Sequence, residues 1–191
     1  MQPIFSIGYG GRQFDEFLDL IKKYKINYVI DVRSKPYSRY NPDFTRDKLQ
    51  QLLTNESIYY VYMGDVLGGQ PSSQQLYTPE GYVDYKAINR EESYQLGIER
   101  LHHAIKQNLC LALMCSERNP QECHRSKLIG ETLSSQGYTI AHIDGMGELQ
   151  YQDKNNNFLD QFRSPQLPLF EDMVKDDMET SRKKYKRKID E

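Results

Sequence analysis

The sequence predicts an α/β domain built on a mainly parallel sheet with helices on both faces. Two observations carry this expectation. From residue 1 to about 143, short apolar runs alternate with segments whose apolar residues recur at helical spacing. The polar and glycine-rich motifs fall only after the apolar runs, where the carboxyl ends of parallel strands would be.

Residues 3–8 form a short apolar run ending in glycine, and Phe14, Phe17, Leu18 and Ile21 then follow at helical spacing. Residues 28–32 (YVIDV) read as a strand of the fully buried type, followed by a polar loop holding Pro36 and Pro42. A helix over about 45–55 would put Leu49, Leu52 and Leu53 on one face. A third strand at 58–63 leads into a long loop, 64–85, with Gly68, Gly69, Pro71 and Pro79. A helix at 91–107, a strand at 109–114, a helix from 120 to about 136 and a strand at 139–143 complete the pattern. The expected architecture is a Rossmann-like three-layer sandwich. From Asp144 the alternation stops, and residues 144–191 read as a polar extension, loosely packed or partly disordered.

Composition narrows the setting. The 191 residues are 38% hydrophobic, enough for one core, while a mean hydropathy of −0.78 requires a strongly polar remainder. The net charge of −2 gives no global field for nucleic acid or membrane, so such a role needs a local cluster. The longest apolar run, 109–115, is too short to span a bilayer, and the first residues lack the basic and apolar regions of a secretory signal. Three cysteines in no disulfide-framework pattern fit a reducing compartment. A soluble, cytoplasmic protein without a membrane partner is expected. Many of the 15 tyrosines fall in loops, where they cover core edges or stack on flat ligands.

The expected strand ends collect a chemically consistent set: Gly8, Gly10 and Arg12, then Asp31 and Arg33, then Gly64 and Gly68, then Cys115, Glu117 and Arg118. Glycines permit close backbone approach, though tight turns need them anyway; arginines offer forked donors to phosphate or carboxylate. The most informative segment is LALMCSERNPQECHR, residues 111–125. Asn119, Pro120 and Glu122 have the order of an N-cap, first helical position and capping box. The first turns of that helix would carry Cys123, His124 and Arg125, with Cys115 close to a positive helix end that favours a thiolate. Cys115 should then be more reactive than Cys110, inside its apolar strand. The segment is neither the phosphatase loop C-x5-R nor a redox C-x-x-C. Zinc held by Cys115, Cys123 and His124 is a weak match, because the Cys-His pair is adjacent and no second C-x2-C exists; no metal is expected. Glu117 with Asp31 would make a carboxylate pair for acid/base work. A small buried cysteine at a strand end is the plainer alternative for Cys115, and His142 reads as a core or rim histidine.

The motifs IGYGGR near the start, DVRSKPYSR at 31–39, GDVLGG at 64–69 and LMCSERNPQECHR at 113–125 occur in one order over residues 4–143. In these the chain resembles domain-of-unknown-function family 488 of bacteria and archaea. The resemblance implies a shared domain and site, not a reaction. Carried over, the site would hold Asp31, Arg33, Ser38, Cys115, Glu117, Cys123, His124 and Arg125. Cys115, Glu117 and Asp31 would be catalytic; Gly10, Arg12, Arg33, Ser38, Cys123, His124 and Arg125 would bind substrate. The expected function is an enzyme on a phosphate-bearing nucleotide or nucleic acid. Alternatives are a non-catalytic nucleotide or nucleic-acid binding module and, below it, thiol redox or sulfur transfer. No particular cofactor is implied.

The extension adds a second resemblance. Gln166, Leu167, Pro168, Leu169 and Phe170 are similar to the peptide by which bacterial replication and repair proteins bind the sliding clamp, roughly Q-L-x-L-F. Four such fixed residues arise by chance in a chain of this length on the order of once in a few hundred. The expected contacts are Gln166, Leu167, Leu169 and Phe170. The basic block at 182–188 would touch DNA or RNA phosphates or stand as a solvated end.

Overall fold

A computed structural model describes residues 2–155, 179–181 and 183–185. Gln166–Phe170, with the clamp-peptide resemblance, lies outside the described residues.

Six strands form one sheet: β1 (Ile4–Gly8), β2 (Tyr28–Asp31), β3 (Tyr59–Tyr62), β4 (Leu111–Cys115), β5 (Ile140–Ile143) and β6 (Leu149–Gln152). Their order is β3-β2-β4-β1-β5-β6. The first five are parallel, and β6 pairs antiparallel with β5. The fold is therefore the expected α/β sandwich, with one added strand. β6 lies beyond residue 143, where no strand was expected, because its polar sequence LQYQ lacks an apolar run. It adds to the β5 edge through backbone hydrogen bonds and buries only Gln152.

Helices cover both faces. On one side α1 (Phe14–Lys23) and α2 (Arg46–Asn55) bring Phe17, Ile21, Leu49 and Leu53 onto Val29, Ala112, Met114 and Ile7. On the other, α3 (Gly64–Leu67), α4 (Tyr85–Asn89) and α5 (Glu92–Lys106) join α6 (Glu131–Ser135) over Ile4, Ile30, Leu113 and Ile140. The amphipathic pattern of α5 is what marked it in the sequence. α3 and α4 are too short to show a helical period: α3 falls inside the long loop expected at 64–85, and α4 starts where that loop ends. Among the described residues no helix is long and apolar enough to cross a membrane.

Two features differ from expectation and shape the site. The helix expected over 120–136 is broken. Pro120–Glu122 make a single 3-10 turn, Cys123 is extended (φ −119°, ψ 144°), and a π-helical segment, Arg125–Gly130, runs into α6. No side chain caps at Asn119, so the expected capping box does not form. Part of the extension also returns onto the domain. Tyr85 N–H donates to Glu179 O, Ser181 N–H to Val83 O, and Tyr185 N–H to Gly81 O.

Candidate functional site

The site lies beyond the carboxyl ends of β2 and β4, where an open parallel sheet leaves a crevice. β4 ends on Cys115, whose side chain faces the α5 side of the sheet with Leu113 and Ile30. The chain then turns through 116–118 across the end of β1, with Tyr9 N–H donating to Cys115 O and Gly10 N–H to Ser116 O. A Cβ on Gly8 would lie 1.7 Å from Glu117 O, so only glycine lets the turn pass so close. This is the physical content of the IGYGG motif: Gly10 receives a backbone turn and does not line the cavity.

Cys115, Glu117, Cys123 and His124 converge there, their donor atoms all within 4.8 Å of one another. Cys115 Sγ donates to Glu117 Oε2 at 2.9 Å, and Cys123 Sγ lies 3.3 Å from the same oxygen. The two sulfurs lie 3.6 and 3.7 Å from His124 Nδ1. His124 Nε2 donates to Val32 O at 3.0 Å, which leaves Nδ1 facing the sulfurs. The ring is seated against Gly69, where a Cβ would come within 2.6 Å of it.

Burial governs the charges. It pushes the Cys115 thiol well above its ordinary pKa, and the neighbouring Cys123 and Glu117 add to this. Burial also opposes the Cys123 thiolate, but the neighbouring Cys115 and the charges of Arg125 and His124 outweigh it, holding that thiol well below its usual range. Arg125 N–H also approaches Cys123 Sγ at 3.5 Å. The two thiols thus shift in opposite directions, with Cys123 rather than Cys115 the one favoured to carry charge, the reverse of the expectation. Burial, then Cys123, raises the Glu117 carboxyl. Burial disfavours charged His124, yet Cys123 and Glu117 raise its pKa overall.

The other sequence candidates separate. Asp31 ends β2 beside Met114, on the same edge as Cys115, but alternation along the strand turns it to the α1 side. There it accepts Arg33 Nε at 2.8 Å and Nη2 at 2.6 Å, and the Tyr60 hydroxyl at 2.6 Å. Fully buried and so engaged, it does not form the expected acid/base pair with Glu117; it positions Arg33. Burial opposes the Arg33 charge, and Asp31 more than restores it. Arg12 is buried with its guanidinium on the carbonyls of Gly8 and Asp144, so it ties chain segments together and lines no part of the cavity. Ser38 accepts Asn41 N–H within its own loop. Arg125, fully buried beneath the cluster, donates to Glu117 O at 2.7 Å, Arg118 O at 3.2 Å and Ser6 Oγ at 3.2 Å. His142 is a core histidine between Ser6 and Gln152.

A cavity of 160 Å³ opens on the cluster, bounded by Cys115, Glu117 and His124 and by Arg33, Lys35 and Lys183. The last two were not singled out from the sequence. Lys183 belongs to the basic block, which signalled charge without showing where it packs. Tyr185 also lines the cavity, its hydroxyl accepting from Gln70 Nε2.

A family profile described as "Domain of unknown function DUF488" matches residues 13–131. The chain belongs to this family. The DUF488 span runs from just before α1 to the start of α6 and contains Arg33, Cys115, Glu117, Cys123 and His124. Gly8, Gly10 and the returning residues Lys183 and Tyr185 lie outside it. No curated protein and no solved structure matches the chain.

Proposed function

We propose that this DUF488 protein is an enzyme acting on a phosphate-bearing nucleotide or nucleic acid, with Glu117 moving the proton at the reacting atom. The observation that carries the reading is the mixed lining of one cavity, which Cys115, Glu117 and His124 of the cluster share with the cationic Lys35 and Lys183. Arg33 borders the cavity, but Asp31 holds its guanidinium on the α1 side over the Tyr9 ring, so Lys35 and Lys183 are the side chains that offer charge to a phosphate. A carboxylate at the cavity wall is within reach of a bound substrate, and general acid–base catalysis contributes roughly 10²–10⁴-fold. The sequence of Gln166–Phe170 supports a replication or repair setting at a sliding clamp, and the three cysteines support a reducing, cytoplasmic one.

The test is turnover by the full chain against nucleotides, single- and double-stranded DNA and RNA. Glu117→Gln should lower kcat by about 10²-fold or more with binding retained. Lys183→Ala should raise KM and weaken its salt dependence. Salt-dependent binding with no turnover of any of these would replace the enzyme by a binding module. A clamp pull-down with Leu169→Ala/Phe170→Ala tests the setting separately; equal capture of this variant and the wild type ends that part of the reading.

A further inference from the structure

We infer that Cys115, Cys123 and His124 hold a zinc-type divalent ion whose fourth position opens to the cavity beside Glu117. The inference rests on the same reading of this cavity as a reactive site.

The geometry matches that ion. A tetrahedral zinc with bonds of about 2.3 Å to sulfur and about 2.0 Å to nitrogen sets its sulfur and nitrogen ligands about 3.5 Å apart. The two sulfur–Nδ1 separations are 3.6 and 3.7 Å. They are alike although Cys115 ends a strand and Cys123 lies in an extended break eight residues on. His124 has the outer contact of a metal-bound imidazole: Nε2–H is fixed on the Val32 carbonyl, which orients the ring and leaves Nδ1 as the donor. Gly69 leaves room for the ring in that pose.

Donor chemistry points the same way. Two thiolates and an imidazole select zinc over magnesium or calcium, which prefer oxygen. Two thiolates also balance a dication, leaving the Glu117 carboxylate to offset the buried Arg125 guanidinium. Glu117 Oε2 lies 2.9 and 3.3 Å from the sulfurs. A tetrahedral oxygen ligand would stand about 3.6 Å from them, taking bonds of about 2.1 Å to oxygen. Glu117 therefore stands beside the ion as proton acceptor for water in the open position: the water gives its proton to the carboxylate and keeps the electron pair as bound hydroxide. The adjacent Cys-His pair, unpromising as a zinc motif, works because Cys123 is extended and turns its sulfur and the next ring to one centre.

The experiment is titration of the purified, reduced full chain with Co²⁺ after chelator treatment, with Zn²⁺ competition and metal analysis of untreated protein. One equivalent should produce thiolate-to-cobalt charge-transfer absorption that Zn²⁺ removes. Cys115→Ser and Cys123→Ser should each lower affinity by about 10²-fold or more, while Cys110→Ser and Glu117→Gln keep full uptake. No charge-transfer absorption in wild type that circular dichroism shows folded would overturn the assignment, and so would absorption undiminished in both cysteine variants. Neither result depends on turnover. Loss of activity in Glu117→Gln with no metal uptake sinks the ion alone; uptake with no turnover sinks the enzyme alone.

Discussion

Arg125→Met removes the guanidinium beneath the site while keeping a side chain of similar length. Arg125 is fully buried and makes three hydrogen bonds, to the Glu117 and Arg118 carbonyls and to Ser6 Oγ. Each acceptor that loses its donor while still buried costs about 1–3 kcal/mol. Burying a charge is itself unfavourable, so removing it returns part of that cost, but the stranded acceptors remain. Water entering under the 116–118 turn relieves some of the loss. The net expectation is roughly 3–5 kcal/mol, a large share of the roughly 5–15 kcal/mol that holds a typical domain. At about 2–4 °C per kcal/mol for a chain of this size, Tm should fall by roughly 6–20 °C. Urea unfolding of the full chain at pH 7, with chelator and reductant present, reads this as a lower midpoint at constant slope. Arg125→Lys should recover only part, since one ammonium cannot span three acceptors set for a planar fork. A loss below about 1 kcal/mol for the Met variant would refute the reasoning and show that the turn is held by its pairing with Tyr9 and Gly10.

Burial, partly offset by Gln152 and reinforced by Arg125, pushes the His142 pKa down to about 3, so the folded state keeps this ring neutral. Stability is then full above the ordinary value of about 6.5 and falls as pH drops towards 3, by about 2 kcal/mol at pH 5; His142→Gln should flatten that slope by about one proton, and an unchanged slope removes His142 as its source. Asp31→Asn leaves the buried Arg33 without its carboxylate and should cost roughly 3–5 kcal/mol, whereas Tyr60→Phe should cost only about 1–2. Thermal denaturation compares the two, and equal losses would mean that Asp31 does not act chiefly through Arg33. Gly69→Ala forces a Cβ to within 2.6 Å of the His124 ring. It should cost about 1–3 kcal/mol and abolish the NMR signal of a protected Nε2 proton, while a retained signal would show that the ring has room.

Five strands and the long helices α1, α2 and α5 were determined by the sequence itself, because their signal is local: short apolar or aromatic runs, buried on both faces in β1, β4 and β5, and apolar residues repeating each turn. The DVR and CSER motifs, coming after those runs, also placed Asp31 and Cys115 on one sheet edge. Which way each side chain faces at that edge was a tertiary matter. Register sets Asp31 beside Met114, and one step of alternation separates it from Cys115, so the carboxylate joins Arg33 and Tyr60 instead of Glu117. Asn119, Pro120 and Glu122 carry a good local helix start, but the turn ends at an extended Cys123, where its sulfur packs with Glu117 and His124. β6 and the return of 179–181 and 183–185 onto the domain carry no signal in the sequence, because polar residues joined by backbone hydrogen bonds have no periodicity. Residue types and strand ends could be read along the chain, but the cluster could not: it depends on distances between segments that only the packed sheet brings together.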